Sequence, residues 1–380
     1  MKPEQISYVF IESHSDLDRI AGELKREAVI GVDLEADSMF HYHEKVCLLQ
    51  ISTPSQNILI DPLALEDLSA LAQVFSDPGI RKVFHGADYD IRSLHRDFGI
   101  EVNPLFDTQI AATFLGIRES GLANLLKTRF GVTVEKKYQK KDWSERPLSQ
   151  PMLDYAARDS LYLLPLASML EDELKSKGRL FCVEEECKRL SKVRVNQTDG
   201  NHFFLKFKGA GKLDPRSLTV LETILQFRDD MARKQNRPPF KVFGNAQVNK
   251  MAKEKPRGLS ELRKRECLSP RQIKGFGSAL SKRINTVLNL PENELLAYPK
   301  KTGRRVGAKV SKRVTALKKW RERRAGEMSL DPALVCTNTQ IQFLATIHPK
   351  TQKELEKITE IKNWQREFFG REICSILNPQ

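Results

Sequence analysis

The sequence contains no long hydrophobic run: no stretch approaches the roughly 18 apolar residues that a membrane-spanning helix needs. Residues 1–16 also lack the basic-then-apolar pattern of a secretory signal. Cysteine is scarce, with six in 380 residues and no CxxC pair, which excludes the ordinary zinc-ribbon and zinc-finger patterns. These absences predict a cytoplasmic protein without a membrane segment, whose cysteines are reduced packing residues.

The net charge of +14 is distributed unevenly along the chain. Residues 1–200 contain 25 Lys and Arg against 32 Asp and Glu, a net of −7, whereas residues 201–380 contain 38 against 17, a net of +21. A strongly basic half joined to a mildly acidic one predicts a polyanionic partner. The alternative at this stage is that the charge serves solubility alone.

The order of local patterns predicts an α/β domain followed by helical domains. Residues 1–200 begin with several strand-like runs and continue mostly as helices, which fits a mixed sheet flanked by helices. A Gly-, Asn- and Lys-rich stretch then reads as a linker, and two all-helical sets follow at residues 210–292 and 305–380. From pattern alone, the two sets fit an internal duplication and a chance likeness of short helical bundles equally well.

Two carboxylates lie at the end of the first long apolar run, AVIGVDLEADS. Alternate residues of a strand point to the same face, so Asp33 and Glu35 are expected to project side by side. Burying two unpaired like charges is costly. The pair therefore needs either a local explanation, such as the start of a loop, or a cation.

Further acidic residues occur in the segments FHGADYDIRSL and DYAARDS. Asp88 and Asp90 lie at a predicted strand-to-helix junction, where Asp90 alone could also cap the helix. Tyr155 and Asp159 are four residues apart on a predicted helix and should share one face. Carboxylates from a strand, a junction and a later helix are the oxygen ligands that Mg²⁺ and Mn²⁺ prefer, so the combination predicts a divalent-metal site.

These segments carry a family resemblance. VDLEADS, FHGADYDIRSL and YAARDSLYLLP resemble the three motifs of the DEDD exonuclease superfamily, and the tyrosine places the chain in the branch with Tyr ahead of the last aspartate. The first 200 residues are similar throughout to ribonucleases D. Residues 210–292 resemble an HRDC domain, and residues 305–380 resemble a second, more divergent copy.

The resemblance implies a ribonuclease H-like exonuclease domain, two HRDC-type domains and 3′–5′ hydrolysis of RNA with two divalent ions, Mg²⁺ or Mn²⁺. The family's four carboxylates fall on Asp33, Glu35, Asp90 and Asp159, and Tyr155 would orient the attacking water. A phenol of ordinary pKa near 10 is a poor base at neutral pH, so deprotonation of that water is expected of the metal. The implied partner is RNA with a single-stranded 3′ tail, above all tRNA precursors, and nothing demands more than a monomer.

Asp88 is not assigned to the site, because Asp90 leads directly into the apolar helix IRSL. The first motif departs from the DTEF form of ribonucleases D, since here it reads DLEAD and ends in an additional acid, Asp37. Asp37 is expected to cap a loop or make a polar contact and is not assigned to metal. Met39 and Phe40 are candidates to pack against the terminal nucleotide, with ordinary core packing as the alternative.

The basic half is expected to capture RNA. Residues 299–324 hold 12 Lys and Arg and one acid in 26 positions, which favours phosphate contacts with steep salt dependence. A solvated basic linker is the alternative. Trp320 and Phe240 are candidates for base stacking or for packing inside the helical sets.

Two other functions stay open at this stage. A 3′–5′ DNA exonuclease of repair would use the same chemistry, and the choice rests on contacts to the 2′-hydroxyl, which the sequence does not reveal. A non-catalytic RNA-binding adaptor predicts decay of the acidic positions, yet all four acids and Tyr155 are present.

Overall fold

Six strands form one mixed sheet in the first part of the chain. The computed structural model of the protein describes residues 7–134, 137–195, 202–299 and 307–379. The strands are β1 (Val9–Ile11), β2 (Val29–Ala36), β3 (Val46–Ser52), β4 (Asn57–Ile60), β5 (Arg81–Phe84) and β6 (Leu105–Asp107). Their order in the sheet is β1-β4-β3-β2-β5-β6. The β4-β3 and β3-β2 pairs are antiparallel and the other three are parallel, which confirms the predicted mixed sheet.

Helices follow or cover the sheet. They are α1 (His14–Leu24), α2 (Pro62–Leu65), α3 (Ser69–Ser76), α4 (Asp88–Phe98), α5 (Thr108–Phe114), α6 (Leu122–Phe130), α7 (Gln150–Leu161), α8 (Leu163–Ser176) and α9 (Leu180–Leu190). The segment that reads as one long helix is divided at Tyr162 into α7 and α8. Pro151 at the start of α7 and Gly178 with a positive φ after α8 mark the ends that the sequence indicates.

The remaining described chain is helical. Its helices are α10 (Pro215–Lys234), α11 (Pro239–Val242), α12 (Asn245–Glu254), α13 (Leu259–Lys264), α14 (Pro270–Gln272), α15 (Ser278–Leu288), α16 (Ala308–Met328), α17 (Pro332–Val335), α18 (Asn338–Ile347), α19 (Gln352–Glu356) and α20 (Asn363–Leu377). Short 3₁₀ turns lie at Phe203–Lys206, Ala210–Lys212 and Glu292–Glu294, and a π-helical turn lies at Ile273–Gly277. Across the described ranges, no helix has the length and apolar character needed to cross a membrane.

The chain divides into two units. The first contains Met1–Ala36, Val46–Val195 and Gly303–Gln380, and the second contains Asp37–Lys45 and Asn196–Thr302. In the first unit, side chains of the sheet, of its covering helices and of α16 to α20 share one hydrophobic core.

Two acids of α9 fix the C-terminal helices within the first unit. Glu185 accepts hydrogen bonds from the backbone N–H groups of Asn363 and Trp364, both at 2.9 Å, and so caps the start of α20. Glu186 accepts from the indole Nε1 of Trp364 at 2.7 Å and pairs with Lys362. The Trp364 ring is buried and meets Phe114 edge-to-face at 5.2 Å.

Both helical sets contain the same hydrogen-bond network, which is partly buried in the first set and buried in the second. In each set, a glutamine at the start of the last helical segment donates to a backbone carbonyl, at 2.8 Å in the first set and 2.9 Å in the second. A second glutamine donates to the amide oxygen of that first glutamine. Both glutamines also close capping boxes. The members, separated by a constant 93 positions, are Val242, Gln247 and Gln272 in the first set and Val335, Gln340 and Gln365 in the second.

Candidate active site

Strand β2 brings Asp33 and Glu35 to one face of the sheet. It lies between β3 and β5, with Asp33 opposite Gln50 and Glu35 opposite Leu48. The intervening Leu34 is buried on the other face, as strand alternation predicts. A bulge follows between Glu35 and Ala36. The two predicted carboxylates therefore lie together near the end of a central strand.

A glycine in β2 allows α7 and α8 to approach the strand. A Cβ at Gly31 would lie 2.4 Å from the Ser52 hydroxyl, 3.2 Å from Cβ of Leu163 and 3.4 Å from the Ser160 carbonyl. The Ser52 hydroxyl donates to that carbonyl at 2.8 Å. This close contact places the end of α7, with Asp159 next to Ser160, against the strand that carries Asp33.

The first turn of α4 is held by a buried carboxylate of β6. Asp107 accepts hydrogen bonds from the backbone N–H groups of Gly86 at 3.0 Å and Ala87 at 2.8 Å. It also caps α5 by accepting from the N–H groups of Gln109 at 2.8 Å and Ile110 at 3.2 Å. The turn that leads to Asp90 is thus fixed by a residue 17 positions further along the chain.

Tyr155 and Asp159 share the buried face of α7, as their spacing predicts. Tyr155 is 7% exposed and packs between Tyr138 and Trp143, with ring centroids 5.8 and 6.1 Å away. Burial first, and then the neighbouring charge of Asp159, raises the pKa of Tyr155 well above 10. The phenol therefore stays protonated at neutral pH.

The four carboxylates act on one another electrostatically. Burial first, followed by the charges of Asp159 and Asp90, raises the pKa of Asp33 well above its ordinary value. Burial and then Asp33, Asp159 and Asp90 do the same to the pKa of Glu35. The pKa of Asp90 rises to about 7, through burial, Asp107 and Asp88. Burial raises the pKa of Asp159 to about 6, against the hydroxyl of Tyr155 and the charge of Arg158.

This donor set fits a divalent cation. The charges that act on Asp33 and Glu35 are all carboxylates, so these two acids have no neighbouring positive charge to offset their repulsion, and Arg158 acts on Asp159 alone of the four. In the described ranges, no three or more His, Cys, Asp or Glu side chains are already close enough together to hold a metal ion. Binding therefore needs side chains to close in or water to complete the shell, which suits Mg²⁺ because it retains several waters.

A cavity of about 350 Å³ opens over these residues. Of the five predicted site residues, Asp33, Tyr155 and Asp159 line it, and Glu35 and Asp90 do not. The charge of Asp90 nevertheless acts on Asp33, and that of Asp33 acts on Glu35. Polar side chains that the sequence did not single out also line it, namely His85, Gln109, Asn124 and Gln139.

The acids left out of the site have other partners. Asp88 is exposed and pairs with Arg92 at 2.7 Å, and Asp154 accepts from the Gln150 amide at 2.8 Å. Asp37 is buried and accepts from the backbone N–H of Lys45 at 2.7 Å, which is the polar loop contact that was predicted.

The aromatic candidates divide between packing and exposure. Met39 is 42% exposed, and the Phe40 ring lies under the ammonium of Lys241 at 4.0 Å. Trp320 is buried and its Nε1 donates to Glu372 at 2.8 Å, so it packs inside the second helical set and does not offer a stacking surface. Phe240 is 49% exposed.

Two family models match different parts of the chain. The model described as a 3′–5′ exonuclease matches residues 8–175. The model of the HRDC domain matches twice, at residues 217–284 and 311–377, so the internal duplication is confirmed. These matches, together with the sheet and its acidic cleft, define the class of the protein, a 3′–5′ exonuclease with helical HRDC domains.

Relatives that match most of the chain identify its family more narrowly. Ribonuclease D of Granulibacter bethesdensis is 28% identical over 378 residues, which are 98% of this chain and 93% of that protein. The crystal structure of Escherichia coli RNase D, described as an exoribonuclease involved in structured RNA processing, is 26% identical with a TM-score of 0.74, and the match covers 99% of this chain and 100% of that one.

A structure from a eukaryote has a higher sequence identity to this chain. The catalytic core of RRP6 from Trypanosoma brucei is 31% identical with a TM-score of 0.66, and the match covers 76% of this chain and 81% of that one. The chain covers only 19 to 35% of four longer eukaryotic relatives. The chain belongs to the ribonuclease D family of 3′–5′ exoribonucleases, whose members depend on divalent metal ions.

Proposed function

We propose that this exoribonuclease shortens the single-stranded 3′ tails of structured RNA, above all tRNA precursors, and releases nucleoside 5′-monophosphates. The E. coli relative's description as an exoribonuclease involved in structured RNA processing supports the substrate class. The net charge of +21 over residues 201–380 supports a polyanionic substrate of some length.

The observation that carries the proposal is the cluster of repelling carboxylates Asp33, Glu35, Asp90 and Asp159, of which Asp33 and Asp159 line the cleft. We assign these four as ligands of two divalent ions, Mg²⁺ or Mn²⁺. When bound, such ions would lower the pKa of a water and stabilise the leaving oxygen of a phosphodiester. Since all four ligands and Tyr155 come from one chain, a monomer suffices for the reaction.

The chain's own residues orient the reactants. Tyr155 keeps its proton because its pKa is raised, so it positions the attacking water by hydrogen bonding and does not act as the base. Attack at the terminal phosphorus breaks its bond to the 3′ oxygen of the preceding nucleotide, which leaves as a hydroxyl. The phosphate stays on the 5′ carbon of the released nucleotide.

Residues 1–200 supply the chemistry in this proposal, and two HRDC domains, at 210–292 and 305–380, capture RNA. Within the predicted basic segment, residues 300–306 lie outside the described residues. Further along it, several arginines of α16 form ion pairs with acids. Four lysines of α16 are exposed and make no hydrogen bond or ion pair with the described residues: Lys309, Lys312, Lys318 and Lys319.

We place this activity in the cytoplasm. The six cysteines are all free thiols, and five of them are buried. Unpaired buried thiols suit a reducing compartment.

The test uses the purified full chain and a hairpin RNA with a single-stranded 3′ tail, labelled at its 5′ end. With Mg²⁺ or Mn²⁺ we expect a ladder that shortens from the 3′ end and stops near the duplex, and the same RNA labelled throughout its length should release nucleoside 5′-monophosphates on thin-layer chromatography. EDTA should abolish both. Products bearing 3′-phosphates, or cleavage that continues in EDTA, would contradict the two-ion mechanism.

A matched pair of variants tests the residue assignment. Asp90→Asn removes an assigned ligand and should lower the rate at least about 100-fold, whereas Asp88→Asn alters an exposed acid paired with Arg92 and should stay within about twofold of wild type. Equal losses in the two variants would contradict the assignment. The same ladder on a matching DNA hairpin measures selectivity for RNA.

A further inference from the structure

Two polar side chains on the wall of the cleft have no part in the chemistry described so far. His85 and Gln109 line the same cavity as Asp33 and Tyr155. The Nε2 atom of His85 is shielded from solvent and has no hydrogen-bond partner among the described residues. A buried nitrogen without a partner is costly, so a ligand that bonds to it would gain affinity.

The neighbours of His85 define which ring nitrogen carries the proton. Nδ1 lies 2.9 Å from the Thr108 hydroxyl, and that hydroxyl donates its single proton to the Phe84 carbonyl at 2.9 Å. Nδ1 must therefore be the protonated nitrogen that donates to Thr108. Nε2 is then a bare acceptor.

Burial keeps the ring neutral at neutral pH. Burial lowers the pKa of His85 below its ordinary 6.5, although the charge of Asp107 acts in the opposite direction. A neutral acceptor repels the oxygens of a phosphate and attracts the hydrogen of a hydroxyl or amino group.

Gln109 lines the same cavity and approaches the backbone next to His85. A Cβ at Gly86, the residue after His85, would be 2.8 Å from Oε1 of Gln109. The hydrogen bonds of Gln109 with described residues are made by its backbone, to Asp107 and from Thr113. Because no such bond restrains the side chain, its amide can reorient toward a ligand in the cavity, and it offers both donor and acceptor atoms.

The group that binds Nε2 must be a hydrogen-bond donor, and it must be present whichever base the terminal nucleotide of the substrate carries. In RNA, the 2′-hydroxyl meets this requirement, since every ribose has one and it both donates and accepts. We propose that His85 Nε2 accepts a hydrogen bond from the 2′-hydroxyl of the 3′-terminal ribose while the Gln109 amide donates to the same oxygen, so that this pair selects RNA over DNA. The inference rests on the proposed function of the cleft.

The test compares two 5′-labelled RNA oligonucleotides that differ only in their last sugar, ribose or 2′-deoxyribose. We expect wild type to remove the ribonucleotide with a kcat/KM about 10-fold higher, the ratio that one hydrogen bond of ordinary strength provides. His85→Phe keeps a flat ring without the acceptor and should bring that ratio close to one, with a much smaller effect on the deoxyribose terminus. His85→Gln restores an acceptor and should recover part of the preference.

The controls separate the possible outcomes. His95→Phe alters a histidine that does not line the cleft and should keep the wild-type ratio. Equal losses on both termini in His85→Phe would mean that His85 serves the metal site or the fold, and would overturn the proposal. An unchanged ratio would do so too.

Two further results keep the test decisive. If His85→Phe does not fold, as judged by its melting curve, Gln109→Leu is measured in the same way and must lower the ratio. If wild type cleaves neither oligonucleotide with either metal, the proposed function fails. Cleavage with a ratio of one in wild type removes only the present inference.

Discussion

Asp107 is predicted to be essential although it is not one of the assigned ligands. It is 1% exposed and accepts four backbone hydrogen bonds, two from the turn that precedes α4 and two from the start of α5. Asp107→Ala removes all four acceptor contacts at once. Asp107→Asn keeps one acceptor oxygen and presents an NH₂ group to backbone N–H groups on the other side.

The cost follows from these contacts. Loss of the helix cap at α5 costs about 1 kcal/mol. Leaving the N–H groups of Gly86 and Ala87 without an acceptor costs about 1–3 kcal/mol each. We therefore expect Asp107→Ala to lower the free energy of unfolding by about 3–7 kcal/mol and the melting temperature by about 10 °C, with Asp107→Asn at about half of that.

The rate of RNA cleavage by Asp107→Ala should fall further than its loss of stability alone explains. Asp90 lies in the first turn of α4, directly after the turn that Asp107 holds, and a misplacement of about 1 Å can cost about 100-fold in rate. Cleavage is measured at a temperature where each variant is fully folded. Tryptophan fluorescence reports the unit that contains the site, because all three tryptophans, at 143, 320 and 364, belong to it.

Asp88→Ala is the matched control, since it removes a neighbouring but exposed carboxylate whose ion pair with Arg92 is worth little. It should melt within about 2 °C of wild type. The reasoning is refuted if Asp107→Ala also melts within that range, or if it is destabilised as expected yet, while folded, cleaves RNA at the wild-type rate.

Three further predictions concern charge. Asp33→Asn should abolish cleavage and leave RNA binding intact, and in EDTA it should melt about 2–5 °C above wild type because it relieves repulsion; a lower melting temperature than wild type in EDTA would contradict this. Lys82 is fully buried and its pKa is lowered to about 8, so between pH 8 and about 10.5 the unfolded chain binds one proton that the folded chain does not, and stability should rise with pH across that window. Denaturant titrations should show the free energy of unfolding rising by about 1–3 kcal/mol, a rise that Lys82→Met lacks. Replacing four exposed lysines of α16 by Gln should weaken RNA binding and reduce its salt slope without changing kcat, as anisotropy titrations at several salt concentrations would measure; an unchanged slope would remove α16 from the RNA path. The four are Lys309, Lys312, Lys318 and Lys319.

The parts of the site that depend on short-range periodicity were predictable. The two-residue spacing of Asp33 and Glu35 on a strand, and the four-residue spacing of Tyr155 and Asp159 on a helix, determine which side chains share a face. The structure shows both pairs on the expected faces. That Asp33, Glu35, Asp159 and Asp90 act as metal ligands stays a prediction, as does the division of the chain at residues 200, 210–292 and 305–380.

The parts that depend on distant contacts were not predictable. Asp107 reads as an ordinary helix cap in the segment FDTQIAA, and its bonds to Gly86 and Ala87 appear only when β5 and β6 pair. Gly31 reads as an unremarkable strand residue until α8 is packed against it. The state of the His85 ring likewise depends on Thr108, 23 positions away.

Because the glutamine network occurs in both helical sets, equivalent substitutions can be compared within one protein. Because the separation is a constant 93 positions, a substitution in one set has a defined counterpart in the other. Gln272→Ala and Gln365→Ala break the same bond in two surroundings: one set has its own hydrophobic core, and the other shares a core with the sheet. The difference between the two losses of unfolding free energy measures what a shared core adds to such a helical set, without recourse to a second protein.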